Sequence, residues 1–457
     1  LDRPACTLLH LGPGLANGLS NLHNALRAQS PVVNIIGDHA TYHRHYDAPL
    51  SSDIEGAARP FSHWVRTSQN ADTAGPDGAA AVAAALSAPG RIASLILPAD
   101  AAWQETRSPV HVAIGSPEVA PRARPTDDAI VAAARILGSK EPTAIVLAGR
   151  ATRADTLELA GKISAKTGAR LLAQTHTPRI ARGAGRVPVE RIPYPVDQAT
   201  ALLSEFKNLI LIGAKAPVAF FAYPNKPSEL SLPGTRIYTL ARVEQDLLYA
   251  LGALSTAVGA DAVAAPIVSL RHAERPTGLI TPEKIGSLIA ATLPEDAIVV
   301  DESITTGRSF FALTQNAPAH DWILPTGGSI GFAMPVSIGA AVACPNRKVI
   351  TLESDGSGLY MPQSLWTQAR QNLNVLTLVF ANRKYQILRG ELKNVGVSHI
   401  GPTASALLDI EKPDIDWVGL AQSFGVQAHR AQTMEALSGC IDAALASSGP
   451  CLIEVAL

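Results

Sequence analysis

Residues 348–360 have the sequence KVITLESDGSGLY, in which an apolar run ends in an acid, glycines and serines. The apolar run predicts a buried strand, and a helical stretch and a second apolar strand that ends at Asn382 follow it. About one βαβ unit separates Asp355 from Asn382, so the two parallel strands should end side by side at one edge of a sheet. Because ligands of open α/β sheets bind at that edge, the stretch predicts an α/β fold with a binding site beside Asp355.

The residue types at this edge indicate the kind of ligand. A carboxylate from Asp355 and an amide oxygen from Asn382 suit a hard cation such as Mg²⁺. The small residues Gly356 and Ser357 leave backbone N–H groups free to hold phosphate oxygens. The chemistry therefore predicts a diphosphate that is bound through Mg²⁺.

The composition limits the class of protein. The 457 residues suggest about three domains, and the 47% hydrophobic and 17% charged residues predict large buried cores. A net charge of −1 argues against a nucleic-acid partner, and no apolar run is long enough to span a bilayer. The four cysteines are scattered without zinc-type spacing, and we interpret them as reduced thiols of a cytoplasmic protein: Cys6, Cys344, Cys440 and Cys451.

Alternating apolar strands and helical stretches predict three doubly wound α/β domains with parallel sheets. The first domain is expected at residues 1–115, a Rossmann-like middle domain at 127–261 and the third domain at 278–457. Two linkers separate them. Residues 116–126 are rich in proline and charge, and residues 264–277 form the second linker.

The first domain is predicted to open with a strand, a tight turn and a helix. Residues 5–11 are an apolar strand, and helical periodicity begins at residue 15 and continues to residue 28. Between them, Gly12-Pro13-Gly14 predicts a turn. A second strand at 31–36 is followed by a histidine-rich loop.

Three motifs in this order resemble those of thiamine-diphosphate-dependent enzymes of the acetolactate synthase, benzoylformate decarboxylase and pyruvate decarboxylase group. The nearest likeness is to acetolactate synthase large-subunit-like proteins. The motifs are Gly12-Pro13-Gly14 with Asn17, residues 328–335, and Asp355-Gly356-Ser357 with Asn382. The resemblance covers essentially the whole chain. It implies a pyrimidine-binding domain, a middle domain and a diphosphate-binding domain, with the first domain incomplete at its N-terminus.

The resemblance also implies roles for individual residues. The metal ligands would be the side chains of Asp355 and Asn382 and the backbone carbonyl of Lys384. Ile330 matches the bulky apolar residue that holds the cofactor in its bent shape, and Gly12-Pro13-Gly14 would approach the cofactor of a partner subunit. The implied cofactor-binding residues are Gly12, Pro13, Gly14, Asn17, Thr305, Thr306, Ser329, Ile330, Gly356, Ser357 and Tyr385.

The motif of Asp355 and Asn382 departs from the family's pattern at two places. The usual Gly-Asp-Gly is Ser354-Asp355-Gly356 here, and the usual Asn-Asn pair is Ala381-Asn382. Each departure keeps the expected ligand and changes only its neighbour. Metal binding by these residues therefore remains the expectation.

A third departure concerns the glutamate that activates the cofactor in this family. It lies on an early helix before the Gly-Pro-Gly turn, whereas here Asp2 is the sole acid that precedes Gly12. We therefore expect that this glutamate is absent from the given sequence, and that the chain is trimmed, processed or completed by a separate N-terminal segment. Acting alone, the chain is expected to be a weak catalyst or none.

The histidine-rich loop allows several interpretations. The spacing of His39, His43 and His45 permits a zinc site, but no fourth ligand suggests itself. His39 follows a strand end and is predicted to act as a general acid–base. A solvated loop that closes a subunit interface is the alternative.

Two further places could contact ligands. Arg389 and Glu391 follow the predicted metal ligands Asn382 and Lys384, and could meet a substrate carboxylate or form a surface ion pair. Residues 213–217 follow a middle-domain strand and could face a nucleotide. The middle domain of acetolactate synthases carries FAD, but no complete G-x-G-x-x-G supports FAD here.

The predicted function is thiamine-diphosphate- and Mg²⁺-dependent decarboxylation of a 2-oxo acid, followed by joining to a second carbonyl, as in acetolactate synthase. The alternatives are simple decarboxylation, as in benzoylformate decarboxylase, and a catalytically silent protein that binds the cofactor. The resemblance implies an active site between subunits, so a homodimer or homotetramer is expected. No nucleic-acid or membrane partner is expected.

Overall fold

The computed structural model describes residues 3–107 and 119–457. Leu1, Asp2 and residues 116–118 of the predicted first linker lie outside the described residues. The chain divides into two compact units. The first comprises Leu1–Arg124, Val243–Asp246 and Thr326–Ser329, and the second comprises Pro125–Arg242, Leu247–Pro325 and Ile330–Leu457.

The first unit contains a four-stranded parallel sheet with helices between its strands. The spatial order of the strands is β1-β2-β4-β3. The elements are β1 (Ala5–His10), α1 (Leu11–Ala28), β2 (Val32–Asp38), α2 (Ile54–Ala58), β3 (Trp64–Thr67), α3 (Ala71–Leu86), β4 (Ile92–Pro98) and α4 (Ala99–Trp103).

Helix α1 begins four residues earlier than its periodicity predicted. Gly12-Pro13-Gly14 lies in its first turn, so the predicted turn at these residues and the predicted start at residue 15 are wrong. The chain changes direction at Leu11 instead, whose φ is 51°. Pro13 fits the first helical turn because the first N–H groups of a helix have no acceptor within the helix.

The second unit contains the two remaining sheets. Its elements are α5 (Asp127–Gly138), β5 (Thr143–Leu147), α6 (Ala154–Thr167), β6 (Arg170–Ala173), β7 (Arg179–Arg182), β8 (Glu190–Arg191), α7 (Val196–Leu203), β9 (Asn208–Ile212), β10 (Arg236–Ala241), α8 (Leu247–Ala257), α9 (Pro282–Thr292), β11 (Ala297–Glu302), α10 (Phe310–Leu313), β12 (His320–Ile323), α11 (Ala333–Ala343), β13 (Val349–Ser354), α12 (Asp355–Gly358), α13 (Ser364–Arg370), β14 (Val375–Ala381), α14 (Gln386–Asn394), α15 (Pro402–Leu408), α16 (Trp417–Ser423), β15 (Gln427–Ala431), α17 (Met434–Ala446) and β16 (Cys451–Ala456).

The middle sheet is parallel throughout, in the order β10-β9-β5-β6-β8. This is the strand order of a Rossmann-like sheet, with β5 and β9 at the point where the order reverses. Gly213 follows β9 at this point and has a φ of 69°, a conformation that favours glycine. The α/β character predicted for this segment is confirmed.

The largest sheet has the order β15-β16-β14-β13-β11-β12-β7. Six of these strands run parallel, whereas β7 pairs antiparallel with β12. Strand β7 lies in the segment predicted to be the middle domain, yet it pairs with the sheet of the third predicted domain. The prediction of one parallel sheet for each domain therefore does not hold for β7. The domain boundaries at 127–261 and 278–457 stay a prediction.

One hydrophobic core extends over both sheets of the second unit. Ile145 of β5, Val299 of β11 and Leu376 of β14 belong to the same buried cluster. Strands β13 and β14 are buried along almost their whole length, as expected for parallel strands covered on both faces. This burial fixes the positions of the residues that follow the two strands.

Two predictions about the whole chain can be compared with the structure. In the described part of the chain, no helix combines the length and the apolar character needed to cross a membrane. The four cysteines all lie in the described residues and are free thiols.

Candidate cofactor site

The site is built where three neighbouring strands of the largest sheet end. Strands β13 and β14 pair with Ser354 opposite Phe380, so Asp355 and Asn382 follow them at the same edge. Strand β11 is the other neighbour of β13, and Thr305 and Thr306 lie in the loop that follows it. The predicted proximity of these strand ends is therefore present in the structure.

Asp355 is held rigidly at this edge. Its side chain is only 3% exposed; Oδ1 accepts a hydrogen bond from the Gly356 N–H at 2.9 Å, and Oδ2 accepts one from the Arg383 N–H at 2.5 Å. Burial raises the pKa of Asp355 to about 6, against the opposing effect of these backbone hydrogen bonds. A cation beside the carboxylate would favour its charged form and offset this desolvation.

The chain after β14 brings two further oxygen atoms to the site. Arg383 has a φ of 59°, which turns the backbone sharply. The Asn382 Oδ1 atom accepts a hydrogen bond from the Lys384 N–H at 3.1 Å, and the Lys384 carbonyl accepts one from the Gln386 N–H at 2.9 Å. A carboxylate, an amide oxygen and a carbonyl are oxygen donors of the kind that Mg²⁺ takes in proteins, together with phosphate and water.

Gly356 and Ser357, the two small residues after Asp355, are closely packed by their neighbours. A Cβ atom at Gly356 would lie 2.5 Å from Cε1 of Tyr385, so the tyrosine ring occupies the space that a side chain would need. The Ser357 hydroxyl donates a hydrogen bond to Glu353 Oε1. Because the Gly356 N–H is bonded to Asp355 Oδ1 and the Ser357 hydroxyl to Glu353, the Ser357 backbone N–H is the donor of these two residues that remains for a phosphate.

Replacing Gly356 with alanine is expected to weaken binding of thiamine diphosphate. The added Cβ must displace the Tyr385 ring, and overpacking of this kind costs about 1–3 kcal/mol. Titration calorimetry with Mg²⁺ present measures the affinity. Gly339→Ala is the matched control, because a Cβ at Gly339 meets nothing within 4 Å. Equal affinities of the two variants would contradict the close packing against Tyr385.

Sequence reasoning missed two buried glutamates below the site. Glu302 and Glu353 are register partners on β11 and β13, with exposures of 1% and 0%. Glu302 Oε2 accepts hydrogen bonds from the N–H groups of Phe332 and Ala333, at 2.7 and 2.8 Å. Burial is the largest cause that raises the pKa of both carboxyls. The sequence does contain a signal for these residues, because each glutamate lies near the end of an otherwise apolar strand.

The glycine-rich segment, residues 328–335, divides between the two units. Ser329 belongs to the first unit, where both of its backbone polar groups bond to the side chain of Asn24. Ile330 is the next residue and begins a segment of the second unit, which leads into α11. Sequence reasoning assigned roles to Ser329 and Ile330 but did not find Asn24.

The remaining predicted residues of the first unit lie on α1 and after β2. Gly12 faces Ser52, whose Oγ lies 1.9 Å from the position of a Cβ added at Gly12. Gly14 follows in the same helical turn, and Asn17 is exposed one turn later.

His39 follows β2, and its backbone N–H donates to Asp38 Oδ1 at 2.7 Å. Its ring lies 5.5 Å from the ring of His43, and its Nε2 atom is buried with no hydrogen-bond partner among the described residues. Within that same part of the chain, no group of three or more histidines, cysteines or acids is arranged to hold a metal ion.

The two charged residues after the predicted metal ligands have protein partners. Arg389 pairs with Asp409 and donates to the Ser405 hydroxyl at 2.9 Å. Glu391 Oε1 accepts a hydrogen bond from the Tyr194 hydroxyl at 3.4 Å. For Arg389 the geometry therefore matches the predicted ion pair rather than contact with a substrate carboxylate.

The loop proposed to face a nucleotide follows β9. There the Lys215 N–H donates to Gln174 Oε1 at 3.1 Å. This backbone donor is thus engaged by a neighbouring side chain.

Sequence comparisons find known proteins that this chain is similar to. Two family models match: the N-terminal TPP binding domain of thiamine pyrophosphate enzymes at residues 2–62, and the C-terminal TPP binding domain at residues 306–455. An acetolactate synthase large subunit-like protein of Mycobacterium tuberculosis, IlvX, is 47% identical over 454 residues, which cover 99% of this chain and 86% of that protein. Benzoylformate decarboxylase of Pseudomonas aeruginosa is 34% identical over 178 residues, 39% of this chain and 32% of that protein.

A solved structure shares the fold. The thiamine diphosphate-dependent 4-hydroxybenzoylformate decarboxylase of Rhodococcus jostii RHA1 superposes with a TM-score of 0.83 at 23% identity, covering 98% of this chain and 86% of that one. The second family model includes the strand ends that carry Asp355 and Asn382. With a relative 47% identical along nearly its whole length, the chain belongs to the family of thiamine-diphosphate-dependent enzymes.

Proposed function

We propose that this chain catalyses Mg²⁺-dependent decarboxylation of a 2-oxo acid with thiamine diphosphate, and then joins the remaining acyl unit to a second carbonyl compound. The observation that carries this proposal is the all-oxygen donor set at the strand ends, where the buried Asp355 carboxylate lies beside the loop of Asn382. The choice of ligation over simple cleavage is supported by the 47% identity to an acetolactate synthase large subunit-like protein.

In this proposal the chain's own residues bind and orient the cofactor. Asp355, Asn382 and the Lys384 carbonyl would hold Mg²⁺. The Ser357 N–H would hold a phosphate oxygen, while the Gly356 N–H stays bonded to Asp355 Oδ1 and its residue lines the phosphate. The fixed positions of these groups limit the motion of the cofactor's tail. When bound, thiamine diphosphate supplies the carbon that attacks the 2-oxo group and accepts the electrons released with carbon dioxide.

Other predicted residues would act around this centre. Thr305 and Thr306, which follow β11, would face the other side of the diphosphate, and Tyr385 packs over Gly356. His39 would donate or accept a proton through Nε2, the ring nitrogen that lacks a protein partner in the described residues. The α1 residues from Gly12 to Asn17 would approach the cofactor of a second copy, so the proposed assembly is a homodimer or homotetramer.

A second function has an observation in its favour. Residues of this chain are 34% identical to benzoylformate decarboxylase over 178 positions. That likeness supports a decarboxylase that releases an aldehyde instead of joining it to an acceptor. Both functions use the same cofactor site and differ in the fate of the acyl unit.

The deciding experiment is product analysis. The purified chain is incubated with thiamine diphosphate, Mg²⁺ and either pyruvate or benzoylformate, with and without an acceptor aldehyde. A ligated hydroxyketone or acetolactate-type product supports the proposal, whereas free aldehyde alone supports the second function. Cofactor binding measured by calorimetry without any turnover would overturn both functions. It would indicate a catalytically silent protein that binds the cofactor, which is the outcome expected if the chain lacks the activating glutamate.

A further inference from the structure

Asn24 forms an unusual pair of hydrogen bonds with the loop Thr326–Ser329, which belongs to the first unit. Its Nδ2 atom donates to the Ser329 carbonyl at 2.8 Å, and its Oδ1 atom accepts from the Ser329 N–H at 3.2 Å. One side-chain amide thus satisfies both backbone polar groups of one residue, as a neighbouring strand would do. We call this arrangement the Asn24 clamp.

The orientation of the Asn24 amide is fixed by the backbone N–H and carbonyl of Ser329, and a third partner agrees with it. Nδ2 also donates to Oδ1 of Asn21 at 3.1 Å, one turn earlier on α1. A flipped amide would place an oxygen against the Ser329 carbonyl oxygen and an NH₂ group against the Ser329 N–H. The donor and acceptor of the clamp are therefore assigned by the hydrogen-bond network.

Other contacts seat the same loop on α1. The Thr326 hydroxyl donates to the Asn24 carbonyl at 3.0 Å, and His23 Nε2 lies 3.1 Å from the Gly327 carbonyl oxygen. A Cβ atom added at Gly327 would lie 2.6 Å from Asn24 Oδ1, so the loop and the helix are in direct contact. The position of the loop is thus set by several short contacts over residues 23 and 24.

The clamp acts on a segment that would otherwise have large conformational freedom. Gly327 and Gly328 are adjacent glycines, and Gly328 has a φ of 73°. Fixing two glycines costs more conformational entropy than fixing other residues. A 3%-exposed asparagine inside a helix is also unfavourable unless its polar atoms are paired. The ordering of two glycines and the burial of an asparagine both occur at the segment that leads directly to Ser329 and Ile330.

We propose that Asn24 is a positioning residue that holds Gly327, Gly328 and Ser329 in the conformation that receives thiamine diphosphate. This inference rests on the proposed function, which assigns Ser329 and Ile330 to cofactor binding. The clamp pre-forms the segment before the cofactor arrives, so that ordering the loop does not reduce the affinity. Asn24 acts through the loop and does not itself contact the cofactor.

The first test uses the cofactor-free protein. Asn24→Ala removes the acceptor of the Ser329 N–H, so hydrogen exchange of a peptide covering residues 326–330 should become at least about tenfold faster. Ser20→Ala is the control, since Ser20 is an exposed residue on the same helix and its replacement should leave the exchange unchanged. Unchanged exchange in Asn24→Ala would overturn the clamp whether or not the protein binds the cofactor.

The second test measures the cofactor. In Asn24→Ala the Kd and KM for thiamine diphosphate should rise about tenfold, while kcat at saturating cofactor stays near the parent value. A purely structural role would instead lower the thermal midpoint and kcat together, and that result would overturn the proposal. Faster exchange of residues 326–330 with an unchanged Kd for thiamine diphosphate would overturn it as well. If the unmodified chain binds no thiamine diphosphate, the proposed function fails, and the exchange experiment still decides the clamp.

Thr326→Val provides an independent variant if Asn24→Ala does not fold. It removes the hydroxyl that donates to the Asn24 carbonyl and leaves the clamp's two bonds in place. Exchange and Kd should rise together by about two- to threefold, in line with the loss of one hydrogen bond to the loop. An increase in neither quantity would overturn the proposal.

Discussion

Asp355→Ala is expected to abolish Mg²⁺-dependent binding of thiamine diphosphate. The substitution removes the carboxylate from the proposed metal site and leaves the N–H groups of Gly356 and Arg383 without their acceptor. Each buried, unsatisfied N–H costs about 1–3 kcal/mol, so the loop should also lose its fixed conformation. Together these losses should lower the affinity by at least about a hundredfold.

Titration calorimetry at fixed ionic strength measures this effect, with and without Mg²⁺. Asp442→Ala is the control, because Asp442 is half exposed and pairs with Arg275 on the surface, where an ion pair contributes little. The control should bind the cofactor as the parent does. Affinity that Asp355→Ala leaves unchanged would show that the metal site lies elsewhere.

The placement of Asp355 and Asn382 could be predicted because it depends on strand ends. Parallel strands joined by one crossover finish at the same edge, and the apolar runs before the two residues are long enough to mark the strands. The register found between β13 and β14 places Ser354 opposite Phe380, one residue before each predicted ligand. A local pattern was sufficient here because the two strands are close in sequence.

Other features could not be predicted because they depend on contacts between distant parts of the chain. Strand β7 has the sequence RIAR, too short and too charged to predict a buried strand, and it forms by pairing with β12. The interaction of Asn24 with Ser329 joins residues about three hundred positions apart. The Gly-Pro-Gly segment was mistaken for a turn because its residue types favour turns, although they are also compatible with a first helical turn.

The buried glutamates are the clearest case of information that only the register supplies. Glu302 and Glu353 lie far apart in sequence, yet they are opposite one another on β11 and β13. Glu302 accepts two N–H groups at the start of α11, and Glu353 accepts the hydroxyl of Ser357. The pair therefore connects the start of α11 with α12, the short helix that begins at Asp355. Its two unpartnered oxygens within the described residues, Glu302 Oε1 and Glu353 Oε2, are both buried.

Glu302→Ala is expected to destabilise the protein and to weaken cofactor binding, whereas Glu302→Gln should retain both properties. Alanine leaves the buried N–H groups of Phe332 and Ala333 without an acceptor, at a cost of about 2–6 kcal/mol for the two. Helix α11 would then lose its fixed start. Because Phe332 and Ala333 belong to the same apolar cluster as Val300 of β11, a shift of the helix start would also disturb that packing. Displacement of the helix should move the glycine-rich segment as well.

Glutamine separates the role of the acceptor from that of the charge. Its carbonyl oxygen can accept the same two N–H groups, and its amide can donate to the buried Glu353 carboxyl. Thermal unfolding and calorimetric titration of thiamine diphosphate on both variants make the comparison. A low midpoint for alanine with a parent-like midpoint for glutamine identifies the hydrogen bonds as the stabilising feature. Equal loss in both variants would instead assign the effect to the charge of Glu302, and a parent-like alanine variant would remove Glu302 from any role in fixing α11.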